Sequence, residues 1–189
     1  LVLARPSWGE RHWKAWEVSA LKGGSPGSAD PAPSGTLENI VFKELCARAH
    51  EPAGRFVELY NHSTNGVDLY GCWLSDDPGT NKFWITTCRG PRGFLAFTEA
   101  ELGFALDRAG GAIYLVSSNG ARVLDAVRYG AQAEGRSSGR WPDGGPTFHE
   151  LARHTPGTTN APLLTRDVVI NEILYRPASG ESDDEFVEL

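Results

Sequence analysis

Methionine is absent from the 189 residues, and cysteine is scarce, at three. Leu1 follows no initiator, and the chain stops inside the apolar run Phe186-Val187-Glu188-Leu189. Both ends are therefore expected to be cuts in a longer protein, with any leader or anchor lying outside this segment. Cys46, Cys72 and Cys88 have no C-x-x-C spacing, which argues against a zinc ribbon or a thioredoxin-type redox pair. One disulfide with one free thiol, or three reduced thiols, both fit that count. No apolar run approaches the roughly 20 residues that span a bilayer, so no membrane insertion of this segment is expected. Basic residues are also in deficit, 18 against 24 acidic, giving net charge −6. That is the wrong sign for attraction to a phosphate backbone, and nucleic acid is not an expected partner.

What the chain does have is turn chemistry and enough apolar material for a core. Its 22 glycines and 12 prolines accompany 40% hydrophobic residues, of which the aromatics make up 10% of the chain. Three motifs recur. Ser25-Pro26-Gly27-Ser28-Ala29-Asp30 matches Thr155-Pro156-Gly157-Thr158-Thr159-Asn160, and Ile40-Val41-Phe42-Lys43-Glu44-Leu45 matches Val168-Val169-Ile170-Asn171-Glu172-Ile173. Phe56-Val57-Glu58-Leu59 returns letter for letter at Phe186-Val187-Glu188-Leu189. The offsets of 130, 128 and 130 residues predict tandem units of about 130 residues. Residues 1–35 are then the C-terminal remnant of a preceding unit, 36–164 a complete unit, and 165–189 the first strands of the next. Those last two strands are expected to be poorly ordered or to pack on a neighbour, because an isolated hairpin is marginal in water.

Within 36–164 the apolar pattern is strand-like, in runs near 39–46, 55–60, 68–75, 82–86, 93–98, 111–117 and 122–129. Turn signals separate them, of which Asn119-Gly120 is the strongest hairpin mark. Thr98-Glu99-Ala100-Glu101-Leu102 reads as a capped single helical turn. Seven short strands predict an all-β, immunoglobulin-like β-sandwich, and a small barrel would show the same pattern.

Val168-Val169-Ile170-Asn171-Glu172-Ile173 followed by Glu185-Phe186-Val187-Glu188-Leu189 resembles the opening of a lamin-tail domain. The complete unit continues the resemblance through Phe56-Val57-Glu58-Leu59-Tyr60-Asn61, Val67-Asp68-Leu69-Tyr70-Gly71-Cys72-Trp73-Leu74-Ser75-Asp76 and Val123-Leu124-Asp125-Ala126-Val127-Arg128-Tyr129-Gly130. It closes with Gly139-Arg140-Trp141-Pro142-Asp143-Gly144 and the 155–160 turn. Lys43 stands where the pattern usually has asparagine, and Cys72 sits beside the core-type Trp73. The resemblance is to the bacterial branch, and it implies tandem immunoglobulin-like modules in a large secreted or cell-surface protein. There such modules accompany kinase-like domains, hydrolases or nucleases. Scaffold, spacer or adhesion roles follow, with neighbouring domains of the same chain as partners. No coiled-coil rod or basic nuclear-localisation run is present, so a chromatin role is not implied.

Enzymatic readings find little support. No G-x-S-x-G occurs, and His149-Glu150 with His154 lacks H-E-x-x-H periodicity. No catalytic residue, cofactor or transition metal is expected. Asp76-Asp77-Pro78-Gly79-Thr80-Asn81 lacks the alternating ligand order of a calcium loop and reads as a solvated turn. A carbohydrate- or cell-wall-binding role would need an exposed ring. Trp84 beside Phe83 offers one, because alternation turns one of the two outward, whereas the spacing of Trp8, Trp13 and Trp16 does not define a single face.

Two further expectations concern named pairs. Cys72 and Cys88 flank the Trp73–Thr87 hairpin, so a disulfide between them is predicted if register brings their Cα atoms to roughly 4.4–6.8 Å. It would leave Cys46 unpaired and favour an oxidising compartment. Glu44 shares a face with Ile40 and Phe42 by period two, and Glu58 shares one with Phe56 and Tyr60. A carboxylate set among apolar neighbours must be paired, hydrogen-bonded or neutralised. Arg140 is the predicted partner, in a clamp pinning the closing loop to the first strands. Solvated glutamates, or a calcium ion between them, are the alternatives.

Overall fold

The structure, a computed structural model, describes residues 2–3, 16–17, 19, 21, 24–29, 36–49, 54–80, 82–165 and 168–188. Trp8, Trp13, Asp30, Asn81 and Leu189, on which parts of the sequence reading fall, lie outside the described residues. So do residues 51–53 of the first expected turn.

In chain order the strands are β1 (Val2–Leu3), β2 (Trp16–Glu17), β3 (Ile40–Cys46), β4 (Phe56–Asn61), β5 (Val67–Asp68), β6 (Trp73–Ser75), β7 (Phe83–Trp84) and β8 (Cys88–Arg89). After β9 (Phe94–Thr98) comes the single helical turn α1 (Glu99–Leu102). Then follow β10 (Gly110–Val116), β11 (Val123–Gly130), β12 (Ser138–Arg140), β13 (Phe148–Glu150), β14 (Glu172–Leu174) and β15 (Phe186–Glu188). One antiparallel sheet has the order β13-β12-β3-β4-β9 and the other β11-β10-β6-β7. The two pack face to face as an all-β sandwich. Ile40, Phe42, Leu45, Val57 and Leu59 from the first meet Leu74, Ile113, Leu115, Val127 and Tyr129 from the second in one core cluster.

Local chemistry accounts for the edges of these elements. The run expected as one strand over 68–75 is broken into β5 and β6. Gly71 at φ +78° turns the chain, Tyr70 N donates to Asp68 Oδ1 at 2.9 Å, and Cys72 N donates to Leu69 O at 3.0 Å. Between β10 and β11, Gly120 supplies the left-handed residue at φ +71° and Ser117 N donates to Arg122 O. At α1 the capping box is complete, with Thr98 Oγ1 accepting from Glu101 N and Glu101 Oε2 accepting from Thr98 N.

The feature that sets the site is a β-bulge in β3. Its pairing with β4 runs Ile40↔Asn61, Val41↔Tyr60, Phe42↔Leu59 and then resumes at Glu44↔Glu58, leaving Lys43 as the extra residue. Strict alternation would have put Ile40, Phe42 and Glu44 on one face; the bulge instead turns Phe42 and Leu45 inward. Burying each of these side chains stabilises by about 1.5–3 kcal/mol, whereas a carboxylate in that core would cost more than one such gain. Lys43 and Glu44 leave the core together for the outer face of the sheet, where Glu58 also lies.

That outer face is not open to water. The chain returns over it after β13, with Leu151 and Asn160 buried and Ala152 N donating to Pro162 O. Further along, β14 and β15 pair as Glu172↔Glu188, Ile173↔Val187 and Leu174↔Phe186. This is the register of Glu44↔Glu58, Leu45↔Val57 and Cys46↔Phe56. The turns match as well: Ser28 N donates to Ser25 O and Thr158 N to Thr155 O, with Gly27 at φ +74° and Gly157 at φ +77°.

Candidate functional site

Lys43, Glu44 and Glu58 have no exposed side-chain surface and form a single cluster. Lys43 Nζ donates to Glu58 Oε2 at 2.5 Å, to Glu44 Oε2 at 3.2 Å and to the Thr155 carbonyl at 3.0 Å. Its three protons thus have three acceptors. The ammonium also lies 4.9 Å from the centroid of the Phe94 ring, which in turn stacks on Tyr60. The closing turn and Ser137, just before β12, supply the remaining donors. Glu44 Oε1 accepts from Thr155 N at 2.8 Å and from Ser137 Oγ at 2.6 Å, and its Oε2 accepts from Thr155 Oγ1 at 3.0 Å. Glu58 Oε1 accepts from Gly157 N at 2.5 Å.

Asn160 locks the same turn from the other side. Its side-chain amide donates to the Lys43 carbonyl at 3.1 Å and the Arg140 carbonyl at 2.8 Å. Gly139, paired with Glu44, sits directly beneath it; a Cβ there would lie 2.7 Å from Leu151 Cδ1 and 2.8 Å from both Asn160 Nδ2 and the Lys43 carbonyl.

Glu58 has two hydrogen-bond partners where Glu44 has four, and burial pushes the Glu58 carboxyl above its ordinary range, against the pull of Lys43 and Gly157 N–H. A carboxylate desolvated this fully costs several kcal/mol unless its lone pairs and its charge are both answered, which is what Lys43 and the turn amides do here.

Arg140, expected to hold these glutamates, does not reach them. It lies on β12 and grips Asp125 of β11 with both carboxylate oxygens, at 3.0 and 2.9 Å from Nη2. Its Nε donates to the Phe42 carbonyl and its Nη1 to the Gly145 carbonyl, both at 2.7 Å. Asp125 Oδ2 also accepts from Phe42 N at 2.7 Å, so the pair ties together the two sheets beside the bulge. Burial raises the Asp125 carboxyl above its usual range despite Arg140. The division of labour is steric: the planar guanidinium is spent on Asp125 and two carbonyls, and the slender Lys43, already between the glutamates on the bulge, is the cation that reaches them. Its Nζ occupies the place considered for calcium. Lysine in the middle of an apolar strand, next to glutamate, was the signal in the sequence for this role.

The other expected sites are dispersed. Cys72 and Cys88, predicted as a disulfide, are free thiols, as is Cys46. Cys72 is buried, whereas Cys88 is exposed on the small β5–β8 ladder, opposite Asp68. The hairpin register, Trp73↔Trp84 and Leu74↔Phe83 with Ile85 N donating to the Cys72 carbonyl at 2.7 Å, sets Cys72 beside Ile85, three residues short of Cys88. Trp84 is 46% exposed, its ring tilted against Trp73 at 5.2 Å, while Phe83 turns inward onto Phe97. The 76–80 turn is closed on itself, with Gly79 N donating to Asp77 Oδ1 at 2.8 Å and Lys82 paired with Asp76. His149 bonds Thr147 Oγ1, and His154 Nδ1 meets the Gly135 carbonyl, so the two histidines serve different loops. Among the described residues no group of three or more His, Cys, Asp or Glu side chains is arranged to hold a metal ion, and no helix is long and apolar enough to cross a membrane.

No family model, no curated protein and no solved structure matches this chain.

Proposed function

We propose that residues 36–164 form a non-catalytic, immunoglobulin-like module of lamin-tail type, one unit of a tandem array that acts as a scaffold or spacer in a secreted or surface protein. The observation that carries this reading is the repetition of register: the hairpin of β14 and β15 pairs its glutamates as the hairpin of β3 and β4 does. Asn171 Nδ2 even donates to Glu188 Oε1 at 2.6 Å, the counterpart of the Lys43–Glu58 contact. The apolar residues of the second hairpin are bare, with Ile173 at 61% and Val187 at 57% exposure, where their counterparts Leu45 and Val57 are fully buried. An opening hairpin with its core face uncovered fits the head of a further unit. The densest polar network of the complete unit serves closure of its own fold, which suits a module whose work is mechanical. Placement of an attached kinase-like or hydrolase domain belongs to the same reading.

The exposed Trp84 ring, backed by Trp73, supports a second reading as a carbohydrate-binding module. A glycan array and a cell-wall pull-down with the whole chain separate the two. The scaffold reading expects no retention by glycan and a fragment 36–164 that unfolds at the same midpoint as the whole chain. Retention abolished by Trp84→Ala would replace it with the carbohydrate reading, and a fragment that fails to fold would remove the autonomous module.

A further inference from the structure

Lys43, Glu44 and Glu58 carry more chemistry than closure requires. A primary amine lies 2.5 Å from one carboxyl oxygen and 3.2 Å from another, with all three side chains withdrawn from water. Where the related hairpin needs only a hydrogen-bond donor, it has the Asn171 amide, which is no nucleophile. At this site the donor is an amine, and the position of Lys43 on the bulge presents it to a carboxyl on the neighbouring strand.

We propose that Lys43 and Glu58 join in an intramolecular isopeptide bond, a covalent tie between β3 and β4 formed within the folded chain. The reacting pair starts as an ammonium and a carboxylate. Nζ passes one proton to Glu58 Oε2, 2.5 Å away, which leaves a neutral amine and a carboxylic acid. With the carboxyl rotated about Cγ–Cδ to face the amine, the Nζ lone pair attacks Cδ. The bond Nζ–Cδ forms, and negative charge develops on Oε1, where Gly157 N–H already donates at 2.5 Å. Glu44 Oε2 takes a second proton from the now cationic Nζ and delivers it to Glu58 Oε2, the Cδ–Oε2 bond breaks, and one water leaves. Nζ retains a single hydrogen. Ammonium plus carboxylate becomes amide plus water, with no change in net charge and no oxidant or co-reactant.

Three features of the site favour the step. The reacting atoms are held in contact by strand pairing, which replaces a bimolecular encounter by a fixed one. Exclusion of water, with the Phe94 ring forming one wall at 4.9 Å from Nζ, removes the solvent that otherwise favours hydrolysis of the amide. Burial also holds the Glu58 carboxyl toward its protonated, electrophilic form.

The test is the intact mass of the purified 189-residue chain, incubated folded until the mass is constant and then denatured in reductant. The expected mass is below that of the sequence by one water, with fragment spectra joining the peptides that carry Lys43 and Glu58. Glu44→Gln is expected to restore the full mass. A wild-type chain of full mass overturns the proposal, as does a water deficit that maps to any other pair. Persistence of the deficit in Glu44→Gln overturns the step as written. The wild-type mass is decisive even where a variant does not fold.

Discussion

At the scale of single residues, closure of this sandwich rests on a few side chains with no tolerance for substitution. Gly139→Ala places a methyl group against a side chain, an amide and a backbone carbonyl at 2.7–2.8 Å. Overpacking of this kind costs about 1–3 kcal/mol, and a chemical denaturation midpoint lower by that amount is expected. Asn160→Ala leaves the Lys43 and Arg140 carbonyls without their donor. Removal of such a buried partner costs about 1–3 kcal/mol per stranded group, again readable as a lower midpoint with an unchanged m-value.

Asp125 gives a pH signature. Its folded-state carboxyl is raised by burial, so the folded chain holds that proton more tightly than the unfolded chain does. The associated stability is present below the ordinary aspartate range, near pH 4, and is lost as pH rises through the raised value. Stability of the wild type relative to Asp125→Asn should therefore decline from acid toward neutral pH in paired denaturation curves. A relative stability that instead grows over that range would show that Arg140 dominates desolvation.

At the scale of elements, the capping box fixes where α1 begins. Thr98→Ala removes the side-chain acceptor of Glu101 N, and a loss of about 1 kcal/mol is expected by thermal or chemical unfolding. That box was legible in the sequence, since its residues and their spacing are local. So were the longer strands, at 40–46, 56–61, 94–98, 110–116 and 123–130, each close to its expected span. The bulge was not. Periodicity assigns Glu44 to the face of Phe42, and only the competition between burying Leu45 and burying a carboxylate shifts the frame at Lys43. The short strands β8, β12 and β13 were also missed, because two or three residues cannot display a period. With β12 unrecognised, Arg140 was read as a loop residue free to choose the glutamates, whereas its strand position commits it to Asp125.

At the scale of the whole molecule, the proposed module 36–164 has its closing turn clamped over β3 and β4, and β14 and β15 repeat the register of that pair. The flanking hairpin of β14 and β15 has the right register and none of the cover: Val168, Val169, Ile170, Ile173 and Val187 are each more than half exposed. Few buried apolar contacts mean a low free energy of local opening, so this segment should be cut by protease long before the sandwich is. Limited proteolysis of the intact chain, with fragments identified by mass, measures that difference directly. The account predicts a resistant fragment close to 36–164, with the residues on both sides trimmed early. Equal resistance of 168–188 would contradict it, because the second hairpin would then be part of the same cooperative unit.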